Sequence, residues 1–212
     1  MGLTTIIVGV IRVIRVEDIA ANPGYRRLAS LRGVQHDLRY AGSNNFAGRN
    51  LYGRLDCAWL RTEAAEGLEA AAVWLRQQRP GWTLLVLDAL RPQRVQEAIW
   101  VDVAGTPMQE YFANPERGSI HSYGMAVDVT LVAPDGTEAD MGSGFDEMSE
   151  RSHPALHADL LARGLVTQAQ VAERDCLARA MAAGGFSGIP HEWWHFDHGD
   201  RDHVRRELPR VF

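Results

Sequence analysis

The sequence predicts an α+β protein. Helix-like and strand-like segments are mixed along it without a repeating strand–helix–strand unit, which disfavours a doubly wound parallel sheet. Its strand-like runs are short and apolar, and one ends in a tight turn that suits an antiparallel return. Its 212 residues fit one domain and can bury a real core. The expected architecture is a single domain over 1–212, with a central, mostly antiparallel sheet flanked by helices.

"MGLTTIIVGVIRVIRVED" (1–18) is rich in Ile and Val and reads as a strand. It has no basic start, and Arg12 and Arg15 break its apolar run, so a signal peptide is disfavoured. Residues 16–32 read as a short segment around the turn "NPG", then a basic stretch. "YAGSNNFAGRNLYG" (40–53) is a Gly- and Asn-rich loop whose aromatics suit packing over something. "RTEAAEGLEAAAVWLRQQRP" is the clearest helix, starting near Thr62 and stopping at Pro80. "TLLVLD" (83–88) is a buried strand, and Pro92 opens the next helix. "GMAVDVTLVAPDGTEADMG" is a strand with a turn at Pro134-Asp135-Gly136, expected to form a hairpin. Residues 150–186 are helical with a break near Gly164; Thr167 caps the second helix, and Gly184 and Gly185 end it.

Hydrophobic content of 46% and charge of 23% are ordinary for a globular protein. A net charge of −5 argues against phosphate-neutralising binding, so no nucleic acid is expected. No apolar run approaches 18 residues, so no membrane span is expected. Cys57 and Cys176 form no CxxC pair, and read as free thiols in a reducing compartment. A cytoplasmic location follows as the expectation; a homo-oligomer is left open.

The chemistry gathers in "HEWWHFDHGD" (191–200), which contains His-Glu-x-x-His. A zincin helix would place His191 and His195 one turn apart on one ion. Gly188 and Pro190 stand where that helix should already be running, and the aromatic run 193–196 prefers a strand. On a regular strand Glu192 and Trp194 share one face, Trp193 and His195 the other; a bulge or turn would be needed to unite Glu192 with His195. Upstream, "SIHSYGMAVDVTL" (119–131) offers His121 and Asp128 across a Gly hinge. With His195 they make the three-ligand set of a catalytic zinc site. Glu192 is then an unligated carboxylate beside it, as a general base of metal hydrolysis would be.

"SxHxxGxAxD" followed by "ExWWH" resembles the D-alanyl-D-alanine dipeptidases, the VanX-like zinc peptidases, relatives of zinc D-Ala-D-Ala carboxypeptidases and of the hedgehog signalling domain. "NNFAGRNLYG", "LDALRP" and "MGSGFDEMSERSH" resemble further family segments in the same order, so the likeness covers about 36–204, with 1–35 an extension packed on the domain. The resemblance implies one zinc ion per chain in a cleft on the sheet, held by His121, Asp128 and His195. It implies Glu192 as catalytic base and Arg91 as the oxyanion's cation. Ser119, Asn45 and Phe46 would lie at the substrate pocket, and His191 would be accidental. Leu90 stands where the family usually has Tyr, and Ser143-Gly144 where Thr-Pro is common. The Leu90 change bears on pocket shape and on Arg91 orientation.

The implied reaction is hydrolysis of the small dipeptide D-Ala-D-Ala to two D-Ala, by zinc-activated water with a Glu base. The alternatives are a D,D-carboxypeptidase or other cell-wall peptidase of the same fold, and a zinc-binding module without catalysis. Trp193 and Trp194 read as core or pocket wall; His36, His153, His157, His198 and His203 as surface or supporting groups. Asp146, Glu147 and the tail "DRDHVRRELPR" read as plain solvated charge.

Overall fold

A computed structural model describes residues 13–212. Seven strands, β1 (Tyr25–Arg27), β2 (Val34–His36), β3 (Trp59–Arg61), β4 (Thr83–Asp88), β5 (Ala126–Val132), β6 (Phe186–Ile189) and β7 (Glu192–His198), form two sheets. The helices are α1 (Thr62–Gln78), α2 (Gln93–Val103), α3 (His157–Ala162), α4 (Gln168–Ala183) and α5 (Arg201–Glu207). The main sheet runs β2-β4-β5-β7-β6, parallel only between β2 and β4. β1 and β3 pair antiparallel beside it.

The fold is a one-domain α+β arrangement with a mixed, mostly antiparallel sheet. The helix over 62–78 begins and ends as its Ala/Glu/Leu composition and Pro80 require. Thr167 accepts from the backbone of Gln170 while the Gln170 side chain accepts from the backbone of Thr167, a complete capping box on α4. α1 and α4 pack on one face of the sheet, with Leu68, Leu75, Leu177 and Met181 in the main core. Their approach needs Gly184: a Cβ there would meet the Gly67 carbonyl at 2.1 Å. A second core of Tyr40, Tyr52, Leu90, Ile99 and Trp59 lies under α2 and the 40–53 loop. β5 is covered on both faces, and all seven of its residues are buried.

The strand expected over 1–18 falls mainly outside the described residues; within them, Ile14 bridges Val211 and the chain turns 3₁₀ from Val16. The turn at 134–136 forms, and its return arm is short: one bridge, Val132 to Glu138, with the Ala139 N–H donating to the Leu131 carbonyl at 2.9 Å. β6 is a strand that sequence pattern does not announce: it is short, Gly-containing and at the sheet edge.

Candidate metal centre and active site

Two neighbouring strands and the turn before one of them carry the site. His121 sits in a 3₁₀ turn, Ile120–Tyr123, closed by Gly124 at φ 68°. A Cβ on Gly124 would meet the Tyr25 ring at 3.0 Å, so glycine serves both the left-handed turn and the close approach. β5 follows at once and carries Asp128, which pairs across the ladder with His195 of β7.

β7 is a strand and not a zincin helix. Its pairing with β6 jumps from Gly188–Phe196 to Ile189–Glu192, an irregularity spanning Trp193 to His195. That step breaks strict alternation, buries Glu192, Trp193 and Trp194 alike, and leaves the Glu192 carboxylate 4.0 Å from His195 Nδ1. His191 lies outside the strand, exposed and edge-on to the His153 ring.

Hydrogen bonding settles both tautomers. His121 Nδ1 is 2.7 Å from the Ala89 carbonyl, which can only accept, so Nδ1 carries the proton and Nε2 a lone pair. His195 Nε2 donates to Asp197 at 2.8 Å, so in the neutral ring Nδ1 keeps the lone pair. These nitrogens and Asp128 Oδ1 lie 3.0, 3.1 and 3.4 Å apart. Ligands at zinc distances of about 2.0–2.1 Å in a tetrahedron stand roughly 3.3 Å apart. With His195 neutral, three acceptors converge at that spacing, an arrangement that a divalent cation resolves as well as a proton on His195 does. Burial opposes charge on His195, but Asp197 and Asp128 overcome it and raise its pKa well above that of a free histidine. The surroundings therefore favour positive charge at this point.

Burial pushes the Glu192 carboxyl up to about 7, against the opposing pull of His195. A carboxyl poised there can both take and return a proton near neutral pH. Arg91 is buried and fixed: its Nε and Nη2 donate to Asp88 at 3.1 and 2.7 Å, Nη1 donates to Gln96, and the guanidinium lies 4.6 Å from the Tyr40 ring centre. Burial opposes its charge, but Tyr40, Asp88 and Asp128 hold it protonated. Its Nη2 is 3.6 Å from Asp128. Leu90 is fully buried in the second core and lines no part of the cavity, so Arg91 keeps its orientation through Asp88.

All of this opens on one cavity of about 200 Å³. Ser119 lines it; Asn45 and Phe46 do not. Asn45 instead ties its own loop, donating to the carbonyls of Arg39, Gly42 and Arg49. Phe46 packs on Phe112 and Tyr40, and its N–H donates to Asp146 at 3.2 Å. Asp146 is not surface charge: it is buried, lines the cavity and holds φ 58°, a strained value for a non-glycine residue. Burial, then Asp128, raises its pKa well above the usual carboxylate range. Ser143 accepts from Trp193 Nε1 at 3.0 Å and so braces the wall from behind.

Sequence reasoning also passed over Asp88 and Asp197. Asp88 was legible as a carboxylate three residues before Arg91; Asp197 as one two residues beyond His195. Neither spacing implies contact without the fold. Cys57 and Cys176 are both free thiols. Among the described residues no helix is long and apolar enough to cross a membrane.

Three converging ligand atoms beside an unligated carboxylate and an immobilised arginine define a site of the metallohydrolase class. The chain belongs to the peptidase M15 family, whose model, described as D-Ala-D-Ala dipeptidase, matches residues 25–211. It is 38% identical to a D-alanyl-D-alanine dipeptidase of Escherichia coli K12 over 77% of this chain and 78% of that one. Proteins of the same name from Enterococcus faecalis and Streptomyces coelicolor are 31% and 32% identical, over 78% and 81% of this chain and 86% and 89% of theirs. Among solved structures, the LdcB LD-carboxypeptidase matches with a TM-score of 0.44 and 15% identity, over 75% of this chain and 73% of that one.

Proposed function

We propose that this chain is a zinc dipeptidase that hydrolyses D-Ala-D-Ala to two D-Ala. The observation that carries the reading is the meeting, in one small cavity, of the three ligand atoms with Glu192 and Arg91. His121, Asp128 and His195 would hold the ion. Zinc, when bound there, supplies a Lewis acid that polarises the peptide carbonyl and eases deprotonation of water.

The chain's own groups do the rest. Glu192 takes the proton of the attacking water and returns it to the leaving amine; a base of this kind contributes about 10²–10⁴ in rate. Arg91 presents a permanent charge to the oxyanion, worth roughly 3 kcal/mol for a preorganised donor. Asp197 keeps His195 in its ligating tautomer. Asp146 lines the same cavity and can ionise against the substrate's free ammonium. Two free thiols fit a reducing compartment, and we place the enzyme in the cytoplasm.

The test is to give the zinc-loaded protein D-Ala-D-Ala, its N-acetylated form and L-Ala-L-Ala, and to measure free alanine. Cleavage of the unblocked D,D-dipeptide alone is the expected result. Cleavage of the acetylated form would assign a carboxypeptidase instead, and no release with zinc bound would leave a binding module.

A further inference from the structure

The charged tail was expected to be a solvated face, yet two of its arginines line the cavity. α5 starts three residues after β7 ends, N-capped by Asp200, whose Oδ1 accepts from His203 N at 2.7 Å. Arg201 and Arg205 stand four apart on it, and so on one helix face. Arg201 is spoken for: its Nε donates to Asp197, the carboxylate that orients His195.

Arg205 is not. Its Nε makes one long bond to the Gly118 carbonyl at 3.3 Å, and its Nη1 is buried with no hydrogen-bond partner. The nearest acid, the exposed Asp202, is 3.7 Å from Nη1, beyond hydrogen-bond reach. Burial, then Arg117 and Arg201, depress its pKa, so the local balance there is an excess of positive charge. Arg61 and Arg174 also carry an orphaned nitrogen, but neither lines the cavity. Arg210, from the same tail, spends all three nitrogens on Tyr123, Pro115 and Glu116. An arginine in a cavity wall whose partners are one long carbonyl bond and one exposed carboxylate at 3.7 Å keeps guanidinium donors for a carboxylate ligand.

Asp146 is tied to the Phe46 backbone, whereas Arg205 is tied to the Gly118 carbonyl and shares a helix face with Arg201. Arg201 bonds Asp197, which bonds His195, so this helix face is linked by contact to the metal triad. The same cavity is lined by Asp146 and Glu192 and by Arg117, Arg201 and Arg205. We propose that Arg205, with Arg117 and Ser119 in the same cavity lining, reads the free C-terminal carboxylate of the dipeptide. This deepens the dipeptidase reading and rests on it: Arg205 is a specificity residue, apart from the catalytic step.

The experiment compares D-Ala-D-Ala with D-Ala-D-alaninamide, which lacks the carboxylate charge, on wild type, Arg205→Gln and Arg205→Lys, all zinc-loaded. Wild type should prefer the acid. Arg205→Gln should raise KM for the acid roughly 10- to 100-fold, the scale of a charge-assisted contact, and affect the amide far less, so that the preference collapses. Arg205→Lys should restore part of it and, should Arg205→Gln fail to fold, carries the same comparison with a smaller loss. Equal losses on acid and amide, or no loss on either, would overturn the assignment. If wild type cleaves neither, the dipeptidase reading falls; both compounds then survive calorimetry, and the acid-to-amide ratio of Kd in wild type and variant decides the role of Arg205 alone.

Discussion

His121, Asp128, Glu192 and His195 stand on one turn and two paired strands, whereas Asp146, Tyr40 and Phe46 stand on loops tied down by side chains. In the first region backbone register does the positioning. Asp128 opposes His195 because β5 pairs β7 in that register, and a one-residue slip would turn one of them to the wrong face. In the second region no strand register sets position; side-chain bonds do, local ones from Asn45 and a distant one to Asp146. Asp146 meets Phe46 across a hundred residues of chain, at the end of a strained turn. The comparison teaches that backbone pairing places the candidate metal set, while side-chain bonds between distant loops place the pocket wall.

The two regions should therefore fail differently. Glu192→Gln should lower kcat about 10²–10⁴-fold with zinc still bound, read by stopped assays and metal analysis together. Asp197→Asn should weaken zinc roughly 10- to 100-fold, since His195 loses the carboxylate that sets its tautomer; a competition titration with a chelator reads it.

In the wall, Asp146→Asn should act on stability in the opposite sense to most buried substitutions. The folded pKa of Asp146 is raised, so its protonated form is the one the fold favours. That contribution is complete below the unfolded carboxyl pKa and is lost as pH rises through the folded value. The metal-free Asn variant should thus melt higher than wild type near neutral pH, and its lead should shrink toward pH 4; a lead independent of pH would refute the burial argument. Asn45→Ala should cost about 1–3 kcal/mol of stability through its lost loop bonds, with kcat/KM for the folded enzyme little changed. The smallest effect is reserved for His191→Ala, which should leave zinc affinity as it is; a loss equal to that of His195→Ala would restore the zincin arrangement.

Leu90 sharpens the same contrast. Its place in "LDALRP" suggests a pocket residue, but it points into the second core, and the Asp88 carboxylate alone takes two nitrogens of Arg91. Tyr52 donates its hydroxyl to the same carboxylate, so the 40–53 loop reaches the site through Asp88 and not through Asn45. Losing Asp88 would strand a buried guanidinium, the costly way to break such a pair.

The candidate ligand set and Glu192 were legible as residue types in short stretches, and it is the fold that brings His121, Asp128 and His195 together. A His and an Asp flank a glycine hinge, and a Glu and a His stand in an aromatic run too strand-like for a helix. The helices over 62–78 and 168–183 were readable for the same reason, through composition, Pro80 and the Thr167 cap. Only the tertiary structure decided that Asp146 is buried, that Asn45 serves its loop and that Arg205 faces the cavity. Each of those outcomes depends on which distant surface covers the residue, and burial by a partner some hundred positions away leaves no period, spacing or composition in the chain itself.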